Sequence, residues 1–236
     1  MPIIESIQVA SVAVPLDKVT SFSTRTVSER HYCLVKVRTK DGNEGIGFCY
    51  VGSAGGDIAK IAVEQLLAPK LIGQNSHRSE GLWMEMYNES ILQGRTGAVM
   101  RGISILDTAL WDLNARSVGL PLHQYLGSVV DDRVPAYASG GYYLEGKTPA
   151  KLGKEMESYV KQGFKAVKMK VGRLSPSEEE ARVKAARKAV GDDVLLTLDA
   201  NNAWRDLPTA LEYVRRFEAY NPYWIEEPFS PDAIDL

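Results

Sequence analysis

Hydrophobic and polar residues alternate along the first part of the chain. The alternating segments are residues 3–14, 31–39 and 45–52, and their pattern is typical of β-strands that are covered on one face. The sequence KDGN at residues 40–43 separates the last two segments and has the composition of a tight hairpin turn. The pattern therefore predicts one strand followed by a β-hairpin.

The pattern changes to helical spacing between about residue 58 and residue 126. The clearest helical segment is Ala98–Ser117, where large apolar residues recur at intervals of four and three and form one apolar stripe. The residues of this stripe are Val99, Ile103, Leu106, Leu110 and Leu113. Gly119 is a predicted C-cap, and Pro121 opens a further short helix. Residues 1–127 are therefore predicted to form one α+β domain, in which strands precede helices.

Beyond residue 127, predicted strands and helices alternate with a period of about 30 residues, which requires parallel strands and right-handed crossovers. The predicted strands are residues 134–138, 166–171, 195–199 and 224–226. The predicted helices follow the capping residues Thr148, Ser175 and Asp206. This regularity predicts a TIM-type (β/α) barrel for residues 128–236, and Asp131 and Asp132 lie in the predicted linker that leads to its first strand.

The number of predicted strands sets an expectation about the length of the protein. A closed barrel of this type has eight strands, whereas residues 128–236 provide only about four β/α units. Four strands alone would leave two unpaired edges and half a core exposed. We therefore expect this chain to be the N-terminal part of a longer protein, with roughly 110–140 further residues at this period.

Composition excludes several classes of protein. Of the 236 residues, 44% are hydrophobic and 25% are charged, and the net charge of -2 gives no reason to expect nucleic acid or an anionic membrane as partner. No apolar run approaches the roughly 20 residues that span a bilayer. Cys33 and Cys49 are too few for a disulfide framework or a zinc site. We interpret them as free thiols, and the expected location is the cytoplasm.

Ionisable residues lie on the inward side of three predicted barrel strands. In the second strand, Lys168 and Lys170 share the side opposite the apolar residues, which must face the helices, so both lysines are predicted to point inward. The same alternation turns Asp199 and Glu226 inward at the ends of the next two strands. Barrel enzymes hold their catalytic groups at these strand ends. Tyr137, near the end of the first strand, is a candidate substrate contact, with packing at the barrel mouth as its alternative.

These residue types indicate metal-assisted proton abstraction. Two carboxylates on neighbouring strands need either a cation between them or a raised pKa, and hard oxygen ligands favour magnesium. Two lysines on one face repel each other, and a dication adds to that repulsion, so their pKa values are expected to fall toward the range of a general base. In the expected reaction a lysine removes the proton next to a substrate carboxylate, and the metal stabilises the resulting enediolate.

Three motifs carry a resemblance to a known family. VKMKVG, LTLDANNAW and WIEEPF, in this order and spacing, resemble the enolase superfamily, in particular its mandelate racemase/muconate lactonizing branch. Residues 91–127 resemble the helical part of the N-terminal capping domain of that family, so the resemblance covers essentially the whole chain. It implies a capping domain before the barrel, homo-oligomers, and loops near residues 21–27 and 50–56 that close over the barrel mouth.

The resemblance also implies roles for individual residues. Lys170 matches the base of the family, and Lys168 matches the lysine that tunes this base and helps to hold the substrate carboxylate. Asp199 and Glu226 match the first two magnesium ligands, and Asn201 matches a polar residue that lines the substrate site. The third carboxylate ligand, and the His-Asp dyad or third lysine that separates the subgroups, are expected beyond residue 236.

The leading hypothesis is therefore a magnesium-dependent isomerase or lyase that racemises or dehydrates a hydroxy acid or acid sugar. Its expected partner is a small carboxylate substrate. One alternative is a cycloisomerase or epimerase of the muconate lactonizing type, and another is a non-catalytic fragment that packs against a second chain. A barrel lyase or aldolase with a Schiff-base lysine is disfavoured, because a metal-stabilised enediolate needs no imine.

Overall fold

The computed structural model of the chain describes residues 1–127 and 133–236, and its backbone forms two compact units. The first unit consists of Met1–Leu16 and Ser28–Arg133, and the second consists of Asp17–Val27 and Val134–Leu236. Asp131 and Asp132 lie outside the described residues. The division into domains 1–127 and 128–236 therefore stays a prediction, although residues 17–27 belong to the second compact unit.

The helices and strands follow the order that the sequence pattern predicts. The strands are β1 (Ile4–Ser21), β2 (Thr26–Thr39), β3 (Glu44–Gly52), β4 (Ala138–Ser139), β5 (Ala166–Lys170), β6 (Leu195–Asp199) and β7 (Trp224–Glu226). The α-helices are α1 (Gly56–Ile61), α2 (Ala68–Leu71), α3 (Ser79–Glu89), α4 (Ala98–Ser117), α5 (Leu122–Tyr125), α6 (Pro149–Lys161), α7 (Pro176–Val190) and α8 (Leu207–Phe217). A π-helix at Ala62–Leu67 joins α1 to α2, and a 3-10 helix at Glu218–Tyr220 follows α8.

The first unit contains a three-stranded sheet with the order β1-β2-β3, and helix α4 packs against β3. The predicted hairpin is confirmed, because β2 and β3 pair antiparallel and place Cys33 opposite Cys49. Both cysteines are free, as expected. Gly45 and Gly47 allow the close approach of α4, since a Cβ atom at either position would collide with the helix backbone. The apolar stripe of α4 forms the centre of the core, where Ile103, Leu106, Leu110 and Leu113 are fully buried.

The second unit contains a parallel sheet with the order β4-β5-β6-β7, which confirms the predicted β/α alternation. The helices begin at the predicted capping residues: Thr148 and Asp206 accept from backbone N–H groups, and Ser175 forms a capping box with Glu178. The core of this unit lies between the sheet and the helices and includes Val167, Met169 and Phe217. Closure of an eight-stranded barrel stays a prediction.

The first predicted strand of this unit is wrong in its position. The sequence pattern predicted residues 134–138, whereas β4 consists only of Ala138–Ser139. Pairing with β5 is limited to Ala138 with Val167 and Ser139 with Lys168, and Val134 is 87% exposed. The apolar residues before Ala138 therefore have no neighbouring strand to extend the ladder.

Within residues 1–127 and 133–236, no helix has both the length and the apolar character that a transmembrane span requires.

Candidate active site

The parallel register of the second unit places three ionisable residues in one row. Lys170 pairs with Asp199, and Asp199 pairs with Glu226, so the row crosses strands β5, β6 and β7. The side chains lie where the predicted alternation puts them: Lys170 and Asp199 are buried away from the helix-facing residues, and Glu226 is half-buried. The structure thus brings together residues that lie far apart in the sequence.

The two lysines form direct ion pairs with the two carboxylates. Lys170 Nζ lies 2.5 Å from Asp199 Oδ2. Lys168 Nζ lies 2.9 Å from Glu226 Oε1 and 3.5 Å from Asp199 Oδ2. The ammonium group of Lys168 therefore sits between both carboxylates, and the four side chains form one cluster of balanced charge. Balanced pairing is what permits such charges to be buried.

Without a bound ion, the pKa of Lys168 does not show the lowering that is expected beside a dication. Burial alone lowers its pKa, but the hydrogen bond to Glu226 and the charge of Asp199 outweigh burial, and the pKa of Lys168 is raised above its ordinary value. The prediction considered repulsion between the lysines and from a dication, and it left out how closely the two carboxylates approach Lys168. Lys168 is consequently held as a cation in this arrangement.

Aromatic rings from the β4 region lie next to both ammonium groups. The ring centre of Tyr137 is 5.3 Å from Lys168 Nζ, and this ring also contacts Trp224 edge-on at 5.9 Å. The ring centre of Tyr142 is 5.3 Å from Lys170 Nζ. Both distances are in the range of cation–π contacts. Tyr137 therefore lies at the predicted site and also packs there, while its contact with substrate stays a prediction.

Asn201 lies beside the row in a left-handed backbone conformation, with φ of 46°. Its backbone N–H donates to Asp199 Oδ1 at 2.9 Å, and its Nδ2 donates to Glu227 Oε2 at 3.1 Å. Its Oδ1 atom is buried without a hydrogen-bond partner among the described residues. Asn202 and Glu227 also have positive φ, at 62° and 49°. Such strained backbone is concentrated at functional sites.

Residues 22–25, which join β1 to β2, contact the strand ends that carry this row. The Ser23 hydroxyl donates to the carbonyl of Val171, and the Thr24 hydroxyl donates to the carbonyl of Asn201 at 3.3 Å. Arg173 donates to the carbonyl of Phe22 at 3.2 Å. The segment is therefore attached next to both Lys170 and Asp199.

The arrangement of Asp199 and Glu226 fits a magnesium ion. Both carboxylates contact the ammonium group of Lys168, so the two side chains together already bind one positive charge. Magnesium is commonly bound through one or two carboxylates together with water and substrate oxygens. In residues 1–127 and 133–236, no group of three or more His, Cys, Asp or Glu side chains is placed to hold a metal. Asp199 and Glu226 would therefore supply two carboxylate ligands, and the described part of the chain places no third His, Cys, Asp or Glu side chain with them.

Comparison with family models covers both parts of the chain. Residues 4–127 match the mandelate racemase/muconate lactonizing enzyme N-terminal domain, and residues 151–236 match the enolase C-terminal domain-like model. The chain belongs to the mandelate racemase/muconate lactonizing enzyme family. The resemblance inferred from VKMKVG, LTLDANNAW and WIEEPF is thereby confirmed.

Individual members of this family are similar over most of the chain. Arabinonate dehydratase from Saccharolobus solfataricus is 38% identical over 85% of this chain and 53% of its own length. 3,6-Anhydro-alpha-L-galactonate cycloisomerase from Streptomyces coelicolor is 32% identical over 98% of this chain and 63% of its own length. A racemase from Streptomyces coelicolor, solved with bound magnesium, has a TM-score of 0.90 and 31% identity, covering 98% of this chain and 64% of that structure. The chain thus spans between about half and two thirds of these family members.

The sequence analysis did not identify two buried charged residues of this chain that lie next to the row of ionisable residues. Glu179 and Arg182 of α7 are 0% and 5% exposed, and they bind the backbone at the end of β5. A signal for them existed, because spacings of three and four place both on the face of α7 that carries Val183 and Ala186. Two charged residues on a core-facing stripe indicate a buried ion pair rather than a solvated face.

Proposed function

We propose that this chain acts in magnesium-dependent removal of the proton next to the carboxylate of a hydroxy acid or acid sugar, leading to dehydration or racemisation. The observation that carries this proposal is the row of Lys170, Asp199 and Glu226 across three adjacent parallel strands. The similarity to a sugar-acid dehydratase, a cycloisomerase and a magnesium-containing racemase supports it.

Each residue of the cluster has a distinct proposed role. Asp199 and Glu226 hold the ion, which when bound supplies Lewis-acid stabilisation of negative charge on the substrate carboxylate. Lys170 accepts the substrate proton at Nζ, in its neutral amine form. Lys168 is a cation and forms an ion pair with the substrate carboxylate when that carboxylate replaces Glu226 as its partner. Asn201 and Tyr137 line the space beside this cluster and contact the substrate.

Solvent exchange of the substrate proton tests the role of Lys170. The protein is incubated in deuterated buffer with magnesium and a panel of aldonates that begins with arabinonate, and deuterium incorporation is followed by NMR. We expect Lys170→Ala to reduce exchange by about 10²–10⁴-fold, the usual contribution of one general base. Lys165→Ala is the matched control, because Lys165 is exposed and precedes β5 at its other end. Undiminished exchange in Lys170→Ala would overturn the assignment.

The products separate the remaining alternatives. Dehydration yields a 2-keto-3-deoxy acid that forms a semicarbazone, whereas racemisation or epimerisation changes only the optical rotation, and a cycloisomerase opens or closes a ring without loss of water. A non-catalytic chain gives none of these products although it binds the ion. The cytoplasmic location, self-association and lack of nucleic-acid or membrane partners remain predictions from the sequence.

A further inference from the structure

Helix α7 carries a buried ion pair that the proposed reaction does not use. Glu179 and Arg182 lie in its first two turns, with Arg182 Nη1 2.6 Å from Glu179 Oε2, and both side chains are removed from solvent. Burying two charges is costly unless their remaining hydrogen-bonding groups also find partners. The hydrogen-bond partners of Glu179 and Arg182 therefore indicate what the buried pair does.

Glu179 organises the loop that directly follows β5. Its Oε1 atom accepts backbone N–H groups from Gly172, Arg173 and Leu174 at 3.1, 3.0 and 3.0 Å. The Tyr143 hydroxyl donates to the same oxygen and accepts the N–H of Arg173 at 3.3 Å. Three consecutive N–H groups around one anionic oxygen fix the course of the backbone two residues beyond Lys170.

Arg182 binds the backbone of Lys170 itself. Its Nη1 donates to the carbonyl of Lys170 at 2.9 Å, and its Nη2 donates to the carbonyl of Gly141 at 2.8 Å. The guanidinium group lies 3.9 Å from the ring centre of Tyr143, which covers it. Gly141 precedes Tyr142, whose ring lies against Lys170 Nζ. One side chain thus ties the backbone that carries the lysine to the loop that carries its aromatic neighbour.

We propose that Glu179, Arg182 and Tyr143 are positioning residues for Lys170. This inference rests on the proposed function, in which Lys170 is the base. The three side chains hold the last residue of β5, the loop after it and the loop containing Tyr142 in one arrangement. A displacement of about 1 Å at a reacting group lowers the rate by up to about 100-fold. Precise placement of Lys170 therefore accounts for the presence of an ion pair that is costly to bury.

The same network holds the last residue of β1 and the segment that follows it. The backbone of Tyr143 pairs with Ser21, with Ser21 N donating at 3.1 Å and Tyr143 N donating at 2.8 Å. Arg173, whose N–H is bound by Glu179, donates through its side chain to Phe22. The network therefore connects Ser21 and Phe22 to the two loops that also lie next to Lys170.

Helix α7 also supplies a matched control for a purely structural role. Arg187 donates to the carbonyls of Gly191 and Val194, and on the far side to Tyr220 and Asn221, at 2.7 to 3.0 Å. These carbonyls lie before β6 and β7, at the opposite end of the strands from Lys170. Arg182 and Arg187 therefore both donate hydrogen bonds to backbone carbonyls, but only Arg182 does so next to the row of ionisable residues.

The test compares three variants of the full chain. The double variant Glu179→Gln/Arg182→Met removes both charges together, so no unpaired buried charge remains, and the neutral glutamine carbonyl accepts the loop N–H groups more weakly than the carboxylate does. Tyr143→Phe removes one hydroxyl and keeps the ring over Arg182. Arg187→Met is the control. We expect the double variant to lower kcat for solvent exchange about 10–100-fold with KM changed less than about threefold, Tyr143→Phe less, and Arg187→Met not at all.

Amide hydrogen exchange provides a readout that needs neither substrate nor metal. We expect faster exchange at Gly172–Leu174 in the double variant and unchanged exchange there in Arg187→Met. Equal kcat in the double variant and the wild type, at a temperature where both are folded, would refute the positioning role, as would unchanged exchange at these amides. If Lys170→Ala retains full activity, the proposed function fails instead, whatever the amide exchange shows.

Discussion

The ammonium group of Lys168 lies 2.9 and 3.0 Å from the two carboxylate oxygens of Glu226. The two residues are not on neighbouring strands, because β6 lies between β5 and β7. Lys168 therefore reaches across β6 and passes Asp199, whose Oδ2 it approaches to 3.5 Å. If Asp199 and Glu226 hold a divalent ion as proposed, the ammonium group of Lys168 and the ion would compete for the same two carboxylates.

Removal of the Lys168 ammonium group exposes this competition. Without added divalent ion, we expect Lys168→Met to lower the free energy of unfolding by about 3 kcal/mol, because Asp199 and Glu226 lose their shared counterion. Magnesium then restores more stability to the variant than it adds to the wild type, since no ammonium has to be displaced. Urea unfolding with and without magnesium measures both effects. Lys165→Met is the control, and an equal magnesium effect in all three proteins would contradict the competition.

Loss of one carboxylate weakens ion binding. Asp199 has a side chain that is 2% exposed and contacts both lysines, so we expect Asp199→Asn to weaken magnesium binding at least about tenfold, as loss of a charged ligand does. Isothermal titration calorimetry measures the affinity directly. Asp193→Asn changes an exposed aspartate shortly before β6 and leaves the affinity unchanged. Similar affinities in the two variants would remove Asp199 from the ligand set.

Gly141 is required both for its backbone conformation and for the space it leaves. Its φ is 67°, and a Cβ atom would lie 2.5 Å from Met169 Cβ and 2.8 Å from Met169 Cα. We expect Gly141→Ala to destabilise the protein by about 3 kcal/mol, because backbone strain and overpacking add. Gly163 also has positive φ, at 98°, but open space around it, so Gly163→Ala costs only about 1 kcal/mol. Equal losses in urea unfolding would show that the contact with Met169 is unimportant.

The buried thiol of Cys33 gives a pH dependence of defined sign. Burial, followed by the charges of Cys49 and Glu64, raises its pKa from 9.0 to about 11. The unfolded thiol therefore ionises first as pH increases. The stability that Cys33 contributes is complete below pH 9 and is lost toward pH 11.

Two measurements check this assignment. Iodoacetamide at pH 8 leaves Cys33 unmodified in the folded protein and alkylates it in urea, as peptide mass mapping records. Cys33→Ala also reduces the decline in unfolding free energy between pH 9 and pH 11. Rapid alkylation of Cys33 in the folded protein would contradict the raised pKa.

The sequence predicted the residues of the row because side-chain alternation in a buried parallel strand leaves little choice. In VKMKVG the apolar residues have to meet the helices, so Lys168 and Lys170 must turn away from them. The capping residues Thr148, Ser175 and Asp206 were equally predictable, because a cap is a local interaction. The first strand of the sheet was misplaced, since its extent depends on pairing with β5 and not on its own apolar residues.

The interactions between side chains were outside the reach of the sequence pattern. Glu179 and Arg182 are close to each other in sequence, but their partners Gly141 and Lys170 are 41 and 12 residues away from Arg182. The raised pKa of Lys168 in the absence of an ion was outside its reach for the same reason, because the dominant carboxylate, Glu226, is 58 residues away. Electrostatic interactions depend on distances in space, which alternation and spacing do not supply.

The sequence by itself determined the order of strands and helices, the family, and which side chains face the interior of the second unit. These depend on local periodicity, capping and motif spacing, which are properties of short segments. Only the tertiary structure decided that Lys168 binds Glu226 across β6, that Arg182 holds the carbonyl of Lys170, and that residues 17–27 attach beside Asn201. Those contacts arise because parallel register and helix packing bring distant segments within hydrogen-bonding distance.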